Sequence, residues 1–117
     1  MVGKTKSLHP KRGDLVTISL PGDYGKPRPA LVIQSDLFSK QESLTVLPIT
    51  SSLVDAPFLR FSLHPSPTNH LKKESQVMID KIMTVRMERV GSKVGKVAAE
   101  SLREIERLLV LFLGIAS

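Results

Sequence analysis

The sequence predicts a mainly β fold: a small antiparallel barrel or strongly curved sheet with a single C-terminal α-helix packed on it. Several short segments rich in β-branched and aliphatic residues are separated by turn residues, which is typical of antiparallel strands. After residue 100 the apolar residues change to helical spacing. A chain of 117 residues, 41% of them hydrophobic, supports one core. We therefore predict a single domain over residues 1–117, in which residues 1–11 form a flexible N-terminal tail.

The first three strands follow from alternation and composition. In residues 15–20, apolar and hydroxyl side chains alternate from Val16 onwards, as in a half-buried strand. Residues 29–35 and 44–50 are enriched in aliphatic and β-branched side chains, which indicates strands buried on most sides. Pro48 lies inside the third segment. Because proline cannot donate a ladder hydrogen bond, we expect an edge or a bulge there.

The later part of the chain predicts four more short strands before the helix. Leu59, Phe61 and Leu63 alternate with Arg60 and Ser62, so the polar pair is expected on the opposite face of its strand. By alternation and composition, these strands are expected at residues 58–63, 76–80, 82–87 and 94–97.

The helix is predicted from Ser101 to the vicinity of Gly114, about 14 residues, because Ser101 and Glu104 have the spacing of a capping box. One apolar stripe is expected to face the core: Leu102, Ile105, Leu109 and Phe112. A second apolar edge exceeds what one core contact needs and suits a dimer or partner interface: Leu108, Val110 and Leu111.

Charge and composition narrow the classes of function. Seventeen Lys and Arg against eleven Asp and Glu give a net charge of +6, which favours a polyanionic partner such as nucleic acid. The absence of cysteine excludes disulfides and thiolate nucleophiles, and no cluster has metal-ligand spacing. No apolar run approaches the roughly 20 residues that span a bilayer, and none follows the basic N-terminus as in a secretory signal. We expect a cytoplasmic protein without a membrane or metal partner.

Polar side chains at two strand ends indicate a functional site. Arg28 stands where the second strand begins, and Thr50 stands where the third ends, followed by Ser51 and Ser52. If these strands are sheet neighbours, a guanidinium and a group of hydroxyls meet at one rim. Such a pair predicts phosphate binding, because a planar guanidinium holds two phosphate oxygens in fixed geometry. The alternatives are a solvated strand-end charge for Arg28 and a local turn for Thr50.

Several segments carry a family resemblance through their order and spacing: residues 12–16 (RGDLV), 26–34 (KPRPALVIQ), 47–51 (LPITS), 71–80 (LKKESQVMID) and 85–97. Together they cover nearly all of the chain, which resembles the MazF/PemK family of bacterial toxin endoribonucleases. The resemblance implies an SH3-like barrel with a C-terminal helix and a homodimer. It also implies cofactor-free, metal-independent cleavage of single-stranded RNA to a 2′,3′-cyclic phosphate and a 5′-hydroxyl, and neutralisation by the cognate antitoxin of a type II toxin–antitoxin module.

The resemblance also implies roles for individual residues. By position, Arg28 corresponds to the family's catalytic arginine and Thr50 to its catalytic threonine. Asp80 is the third catalytic candidate, and some members have an arginine two positions before this aspartate, where this chain has Met78. Asp80 acts as a base only if burial disfavours its charge; an ion pair with a nearby Lys or Arg is the preferred interpretation. The family's common Arg-Thr-Ile-Asp sequence reads Met-Thr-Val-Arg at residues 83–86, which bears on substrate preference.

Further candidates would contact RNA directly: Tyr24, Lys26, Ser51, Ser52 and Gln76. Because Tyr24 is the only tyrosine and tryptophan is absent, we do not expect a platform that stacks several bases. Tyr24 either stacks one base or packs on the barrel. Histidine is the usual acid–base group near neutral pH, but nothing in the sequence places a histidine near Arg28. All three are therefore interpreted as surface residues: His9, His64 and His70.

Metal-independent cleavage needs a base for the 2′-hydroxyl, stabilisation of charge on phosphorus, and a proton for the departing 5′-oxygen. Arg28 suits the second task and is a poor base, because a guanidinium stays protonated. Thr50 can donate to a non-bridging oxygen. Asp80, a histidine, water and the partner subunit all remain candidates for the base. The competing functions are a non-enzymatic SH3-like module that binds nucleic acid or protein, and a topoisomerase-poisoning toxin of the same fold.

Overall fold

A computed structural model describes residues 9–22 and 26–115. The strands and the helix follow in chain order: β1 (Asp14–Ile18), β2 (Arg28–Val32), β3 (Ser43–Thr50), β4 (Arg60–Leu63), β5 (Ser75–Met78), β6 (Met83–Arg86), β7 (Val90–Lys96) and α1 (Ala99–Leu113). Single 3₁₀ turns lie at Asp36–Phe38, Ile79–Lys81 and Met87–Arg89.

The sheet is organised around the long strand β3. The path of neighbouring strands runs β4-β5-β3-β2-β1-β7, all pairs are antiparallel, and β6 also pairs with β3. On one edge β3 pairs with β2. On the other it pairs first with β6 and then, from Ile49, with β5. Strand β3 therefore joins two parts of a curved sheet, and its last residues carry the polar site.

Pro48 lies at this change of partner. It is opposite Ala30 of β2 on one edge. On the other edge it falls between Val46, the last residue paired with β6, and Ile49, the first paired with β5. The interruption expected at a proline is thus a change of partner strand rather than a free edge.

Successive residues of β1, β2 and β3 alternate between two apolar clusters, which explains why β2 and β3 have apolar residues on both faces. The cluster that includes helix α1 contains Leu15, Leu31, Ile33, Leu47, Ile49, Leu63, Val77, Ile79, Val97, Ile105 and Leu109. The cluster on the other face of these strands contains Val16, Ile18, Ala30, Val32, Leu44, Val46 and Val85.

Helix α1 begins two residues earlier than predicted. Its N-cap is Ala98, which makes no side-chain cap hydrogen bond, so the prediction of a capping box at Ser101 is wrong. The backbone N–H of Leu102 donates to the Ala98 carbonyl at 3.0 Å, and the packing of Leu102 on the core cluster holds this first turn against the sheet without a cap. The end is as predicted: Gly114 has φ 69°, the left-handed conformation that glycine adopts at low cost.

The predicted apolar stripe of α1 is only partly buried. Ile105 and Leu109 are buried, and Leu108, predicted for an interface, packs against the same cluster. Phe112, predicted for the core, is exposed. Every side chain of residues 110–113 is exposed, so the last turn extends past the cluster that covers the turns before it. An apolar helix end is therefore left without a partner within the described part of the chain.

Of the strand boundaries that differ from the prediction by a few residues, two have identifiable reasons. Strand β7 begins at Val90 rather than at Val94, because its polar first half pairs with β1 through two register shifts and lacks a hydrophobic pattern. Strand β5 ends at Met78, and Asp80 lies in the 3₁₀ turn that follows. The predicted architecture of an antiparallel curved sheet followed by one helix is otherwise observed.

Candidate active site

The beginning of β2 and the end of β3 lie at the same rim of the sheet. The two strands are antiparallel neighbours, with Ala30 opposite Pro48. Continued by two residues, this register puts Arg28, the first residue of β2, opposite Thr50, the last residue of β3. Opposite residues of an antiparallel pair project from the same face. The two side chains predicted to share a phosphate therefore lie on adjacent strands and on one face.

This polar row continues across two more strands. Thr50 lies opposite Gln76 of β5, and Gln76 lies opposite Ser62 of β4. Val77, the next residue of β5, belongs to the cluster that includes α1. Because successive residues of a strand project to opposite faces, the row from Arg28 to Ser62 faces away from that cluster.

The Thr50 hydroxyl is oriented by the backbone that follows it. Its Oγ1 accepts a hydrogen bond from the Ser52 N–H at 3.0 Å, which is the local turn that the simpler interpretation of Thr50 expects. A hydroxyl has two acceptor lone pairs and one proton. The turn uses one lone pair and leaves the proton for donation, so a turn role and a substrate role are compatible for this residue.

Gln76 is buried, and both ends of its amide bind protein groups. Its Oε1 accepts from the Val54 N–H at 3.1 Å and from Arg60 Nη1 at 2.9 Å. Its Nε2 donates to the Val54 carbonyl at 2.9 Å. The side chain thus fixes the backbone of the loop that leaves the rim after β3.

Arg60 also binds groups at this rim, which the sequence interpretation did not predict. Its Nη1 donates to Gln76 Oε1 and, at 3.2 Å, to the carbonyl oxygen of Ser52. Ser52 is therefore held from two sides, at its N–H by Thr50 and at its carbonyl by Arg60. The alternation along residues 58–63 did place Arg60 on the polar face of its strand. Alternation within one strand does not predict which strand lies next to it, so it could not show that β4 pairs with β5.

The remaining RNA-binding candidates lie at or outside the described rim. Lys26 is exposed and precedes β2 by two residues. Ser51 and Ser52 are exposed and directly follow β3. Tyr24 lies outside the described residues, so its two alternatives stay predictions.

Asp80 is not part of the polar row. It lies four residues after Gln76, in the turn Ile79–Lys81, and the antiparallel register carries β5 from the rim towards the middle of β3. Met78 ends β5 two residues past Gln76, which at about 3.3 Å per residue is about 7 Å, and Asp80 lies beyond it in the turn. Its Oδ2 lies 3.9 Å from Lys81 Nζ, in keeping with the preferred ion-pair interpretation.

Two of the three described histidines bind other groups, and His9 is exposed. His64 Nδ1 lies 2.5 Å from Glu74 Oε1, and His70 Nδ1 lies 2.7 Å from the carbonyl oxygen of Val94. Within residues 9–22 and 26–115, no three His, Asp or Glu side chains are grouped as metal ligands. Over the same ranges, no helix is long and apolar enough to cross a membrane.

Comparison with known proteins assigns the family. Residues 11–113 match the family model described as PemK-like, MazF-like toxin of type II toxin–antitoxin system. The chain belongs to this toxin family. It is 44% identical over 107 residues to the probable endoribonuclease MazF of Mycolicibacterium smegmatis, covering 91% of this chain and 98% of that protein. It is 33% identical over 84 residues to endoribonuclease MazF6 of Mycobacterium tuberculosis, covering 70% of this chain and 74% of that protein.

Solved structures of MazF toxins have the same fold. A MazE–MazF complex from Deinococcus radiodurans matches with a TM-score of 0.76 at 24% identity, covering 94% of this chain and 100% of that chain. A mycobacterial endoribonuclease bound to its cognate antitoxin matches with a TM-score of 0.75 at 19% identity, covering 93% and 97%. The predicted MazF-like fold is thereby confirmed. Family membership identifies the chain as a toxin of a type II module and favours endoribonuclease activity over the two competing functions.

Proposed function

We propose that this toxin cleaves single-stranded RNA without a metal ion, at the rim formed by the ends of β2 and β3. The observation that carries the proposal is the register of β2 and β3, which, extended two residues beyond Ala30 and Pro48, puts Arg28 opposite Thr50 on one face of the sheet. A guanidinium supplies a fixed positive charge and two parallel donors to a phosphate. The guanidinium can therefore stabilise the phosphate charge that a metal cation stabilises in metal-dependent nucleases.

In the proposed reaction the 2′-oxygen of one ribose attacks the adjacent phosphorus and the bond to the 5′-oxygen breaks. The products are a 2′,3′-cyclic phosphate and a 5′-hydroxyl. Arg28 stabilises the charge that grows on the non-bridging oxygens, and the Thr50 hydroxyl donates a hydrogen bond to one of them. Because Arg28 is exposed, water can reach the reacting phosphate. Water can then accept the proton of the 2′-hydroxyl and supply a proton to the departing 5′-oxygen.

The other predicted residues divide into contact and support. Lys26, Ser51 and Ser52 are exposed beside the rim and are proposed to contact the RNA backbone, with Tyr24 as the proposed base contact. The amide of Gln76 is hydrogen-bonded to Val54 in the loop after β3 and to Arg60, so its proposed role is to position that loop rather than to contact RNA.

Asp80 is assigned to its ion pair with Lys81 rather than to proton transfer. The reason is its position in the turn after β5, outside the polar row, since a general base must lie within hydrogen-bond reach of the proton it removes. This assignment revises the catalytic role that the sequence suggested for Asp80.

The proposed cognate antitoxin is a protein segment rich in acidic and apolar residues. Such a segment complements the net charge of +6 and offers apolar groups to the exposed helix end, while a second copy of the chain would form the proposed homodimer. Co-expression with the protein encoded next to this toxin, in the cytoplasm where both would act, is expected to yield a complex that co-purifies and does not cleave RNA. Separate elution with undiminished cleavage would contradict this proposal.

Incubation of the purified protein with a long single-stranded RNA in excess EDTA tests the activity. We expect discrete fragments that carry a 2′,3′-cyclic phosphate, because guanidinium and hydroxyl need no metal ion to bind phosphate. Sequencing of the fragment ends would map the cut sites. An intact RNA after incubation with protein whose circular dichroism shows the folded β structure would exclude the endoribonuclease function.

A further inference from the structure

Arg60 differs from several other arginines of this protein in its surroundings. Arg12, Arg86 and Arg107 each face a carboxylate within ion-pair distance. Arg60 Nη1 instead donates to two neutral oxygens, the Gln76 amide oxygen and the Ser52 carbonyl oxygen. Across the described part of the chain, no carboxylate pairs with Arg60, and its Nη2 and Nε make no hydrogen bond.

A half-buried guanidinium held only by neutral acceptors keeps an uncompensated positive charge. Its remaining donors have a planar geometry that matches the oxygens of a phosphate. Two contacts also hold Nη1 in place, so little side-chain freedom would be lost when a ligand binds the other nitrogens. Both properties suit the recognition of an anion.

The position of Arg60 beside Thr50 indicates that the anion is a phosphate of the bound RNA. Thr50 Oγ1 and Arg60 Nη1 bind the N–H and the carbonyl of the same residue, Ser52, so the two side-chain groups lie within about 10 Å of each other. Arg28 flanks Thr50 on the β2 side, and Arg60 lies beyond Gln76 on the β4 side. A strand held at Thr50 therefore has a second guanidinium within reach along its backbone.

The surface beside Arg60 supports a nucleic-acid ligand. Val54, which Gln76 holds through both backbone groups, is 48% exposed, and Phe58, two residues before Arg60, is 68% exposed. Apolar and aromatic side chains next to a fixed cation can accept an unstacked base and its phosphate together.

We infer that Arg60 is a second phosphate-binding residue of the RNA site, which holds a phosphate next to the one at Arg28 and Thr50. The inference rests on the proposed function for the nature of the ligand. It assigns Arg60 to substrate binding and not to the bond-breaking step, so its loss should raise KM far more than it lowers kcat.

The test measures equilibrium binding of a mixed-sequence single-stranded 2′-O-methyl oligonucleotide, which cannot be cleaved because it lacks the free 2′-hydroxyl. Removal of one phosphate contact from a single strand lowers the slope of log affinity against log salt by about 0.7. We expect Arg60→Gln to bind about tenfold more weakly and to lose about 0.7 of this slope. Arg60→Lys, which keeps the charge but loses the fork, should bind more weakly with the wild-type slope.

Arg107→Gln is the matched control, because it removes the same charge from an exposed residue. Arg107 lies on α1, which packs on the cluster that the polar row faces away from, so this variant should keep the wild-type affinity and slope. A purely structural Arg60 would affect the lysine and glutamine variants alike and leave both slopes unchanged, and that result would overturn the inference. Arg60→Met, which keeps the apolar stem, replaces the glutamine variant if the latter melts below the assay temperature.

The inference and the proposed function fail in different ways. If the wild-type protein binds the oligonucleotide with the expected dependence on Arg60 but leaves RNA intact in EDTA, the inferred phosphate site stands and the proposed nuclease function fails. If the wild-type protein cleaves RNA but Arg60→Gln keeps the wild-type salt slope, the inferred phosphate site fails and the proposed nuclease function stands. Failure of the wild-type protein to bind the oligonucleotide would also overturn the inference.

Discussion

Replacement of Arg28 by alanine is expected to lower kcat for RNA cleavage by about 10²- to 10³-fold, the usual loss when one donor to a developing oxyanion is removed. Arg28 is exposed at the start of β2, and alanine leaves the backbone pairing with Ile18 of β1 in place. The protein should therefore stay folded while the charge on phosphorus loses its stabilisation. Initial rates on a defined single-stranded transcript, with circular dichroism of each variant, measure both effects.

Arg28→Lys separates charge from geometry. An ammonium group keeps the positive charge but lacks the planar fork, so we expect a rate between those of the wild type and Arg28→Ala. Arg107→Ala, at an exposed arginine of α1, should cleave at the wild-type rate. Equal rates for Arg28→Ala and Arg107→Ala would show that Arg28 is only a solvated strand-end charge.

Histidine catalysis is tested in the same assay. His70 has φ 57°, a conformation that asparagine tolerates better than most residues, so His70→Asn removes the imidazole at little backbone cost. We expect this variant to cleave normally. A loss as large as that of Arg28→Ala would instead place His70 in the reaction.

Thr50→Val is expected to lower kcat by about 10²-fold, because valine keeps the shape of threonine and loses the proton that the hydroxyl would donate to phosphate. Valine also loses the acceptor for the Ser52 N–H, so some loosening of the following loop is expected as a rise in KM. Thr50→Ser keeps both the proton and the acceptor and is the matched control. Steady-state kinetics of the three proteins on one RNA separate the two effects.

The split between kcat and KM decides the role of Thr50. A donor that acts in the transition state lowers kcat and kcat/KM together, whereas a residue that only orders a turn raises KM and leaves kcat unchanged. A valine variant with wild-type kcat and a lowered melting temperature would assign Thr50 to the turn alone. Full activity of the serine variant is required for the catalytic role, since its hydroxyl can make both contacts.

Local patterns along the chain were enough to predict the architecture. Where a strand or helix buries one face, the spacing of apolar residues reports that face directly, as for Phe61 and Leu63 of β4 and for Ile105 and Leu109 of α1. Patterns failed where burial was not the cause of structure. Strand β7 starts in a polar segment, and helix α1 starts without a capping side chain, so neither beginning left a clear local signal.

The candidate site was predicted in part for the same reason. Arg28 and Thr50 were identifiable because polar residues at the ends of apolar strands stand out locally, and an antiparallel pairing then brings them to one rim. The sequence did not show that β5 ends at Met78, so the position of Asp80 in the following turn came only from the structure. Phe112 was misjudged because periodicity gives the direction of a side chain but not where its neighbouring cluster ends.

By itself, then, the sequence determined the antiparallel sheet, the C-terminal helix and a basic, cysteine-free chain with an arginine and a threonine at two strand ends. Only the tertiary structure decided that β4 lies beside β5 and that Arg60 reaches Gln76 and the Ser52 carbonyl. The physical reason is that periodicity and composition act within a few residues. Strand order and side-chain hydrogen bonds join residues far apart in the chain, where many pairings satisfy the same local pattern.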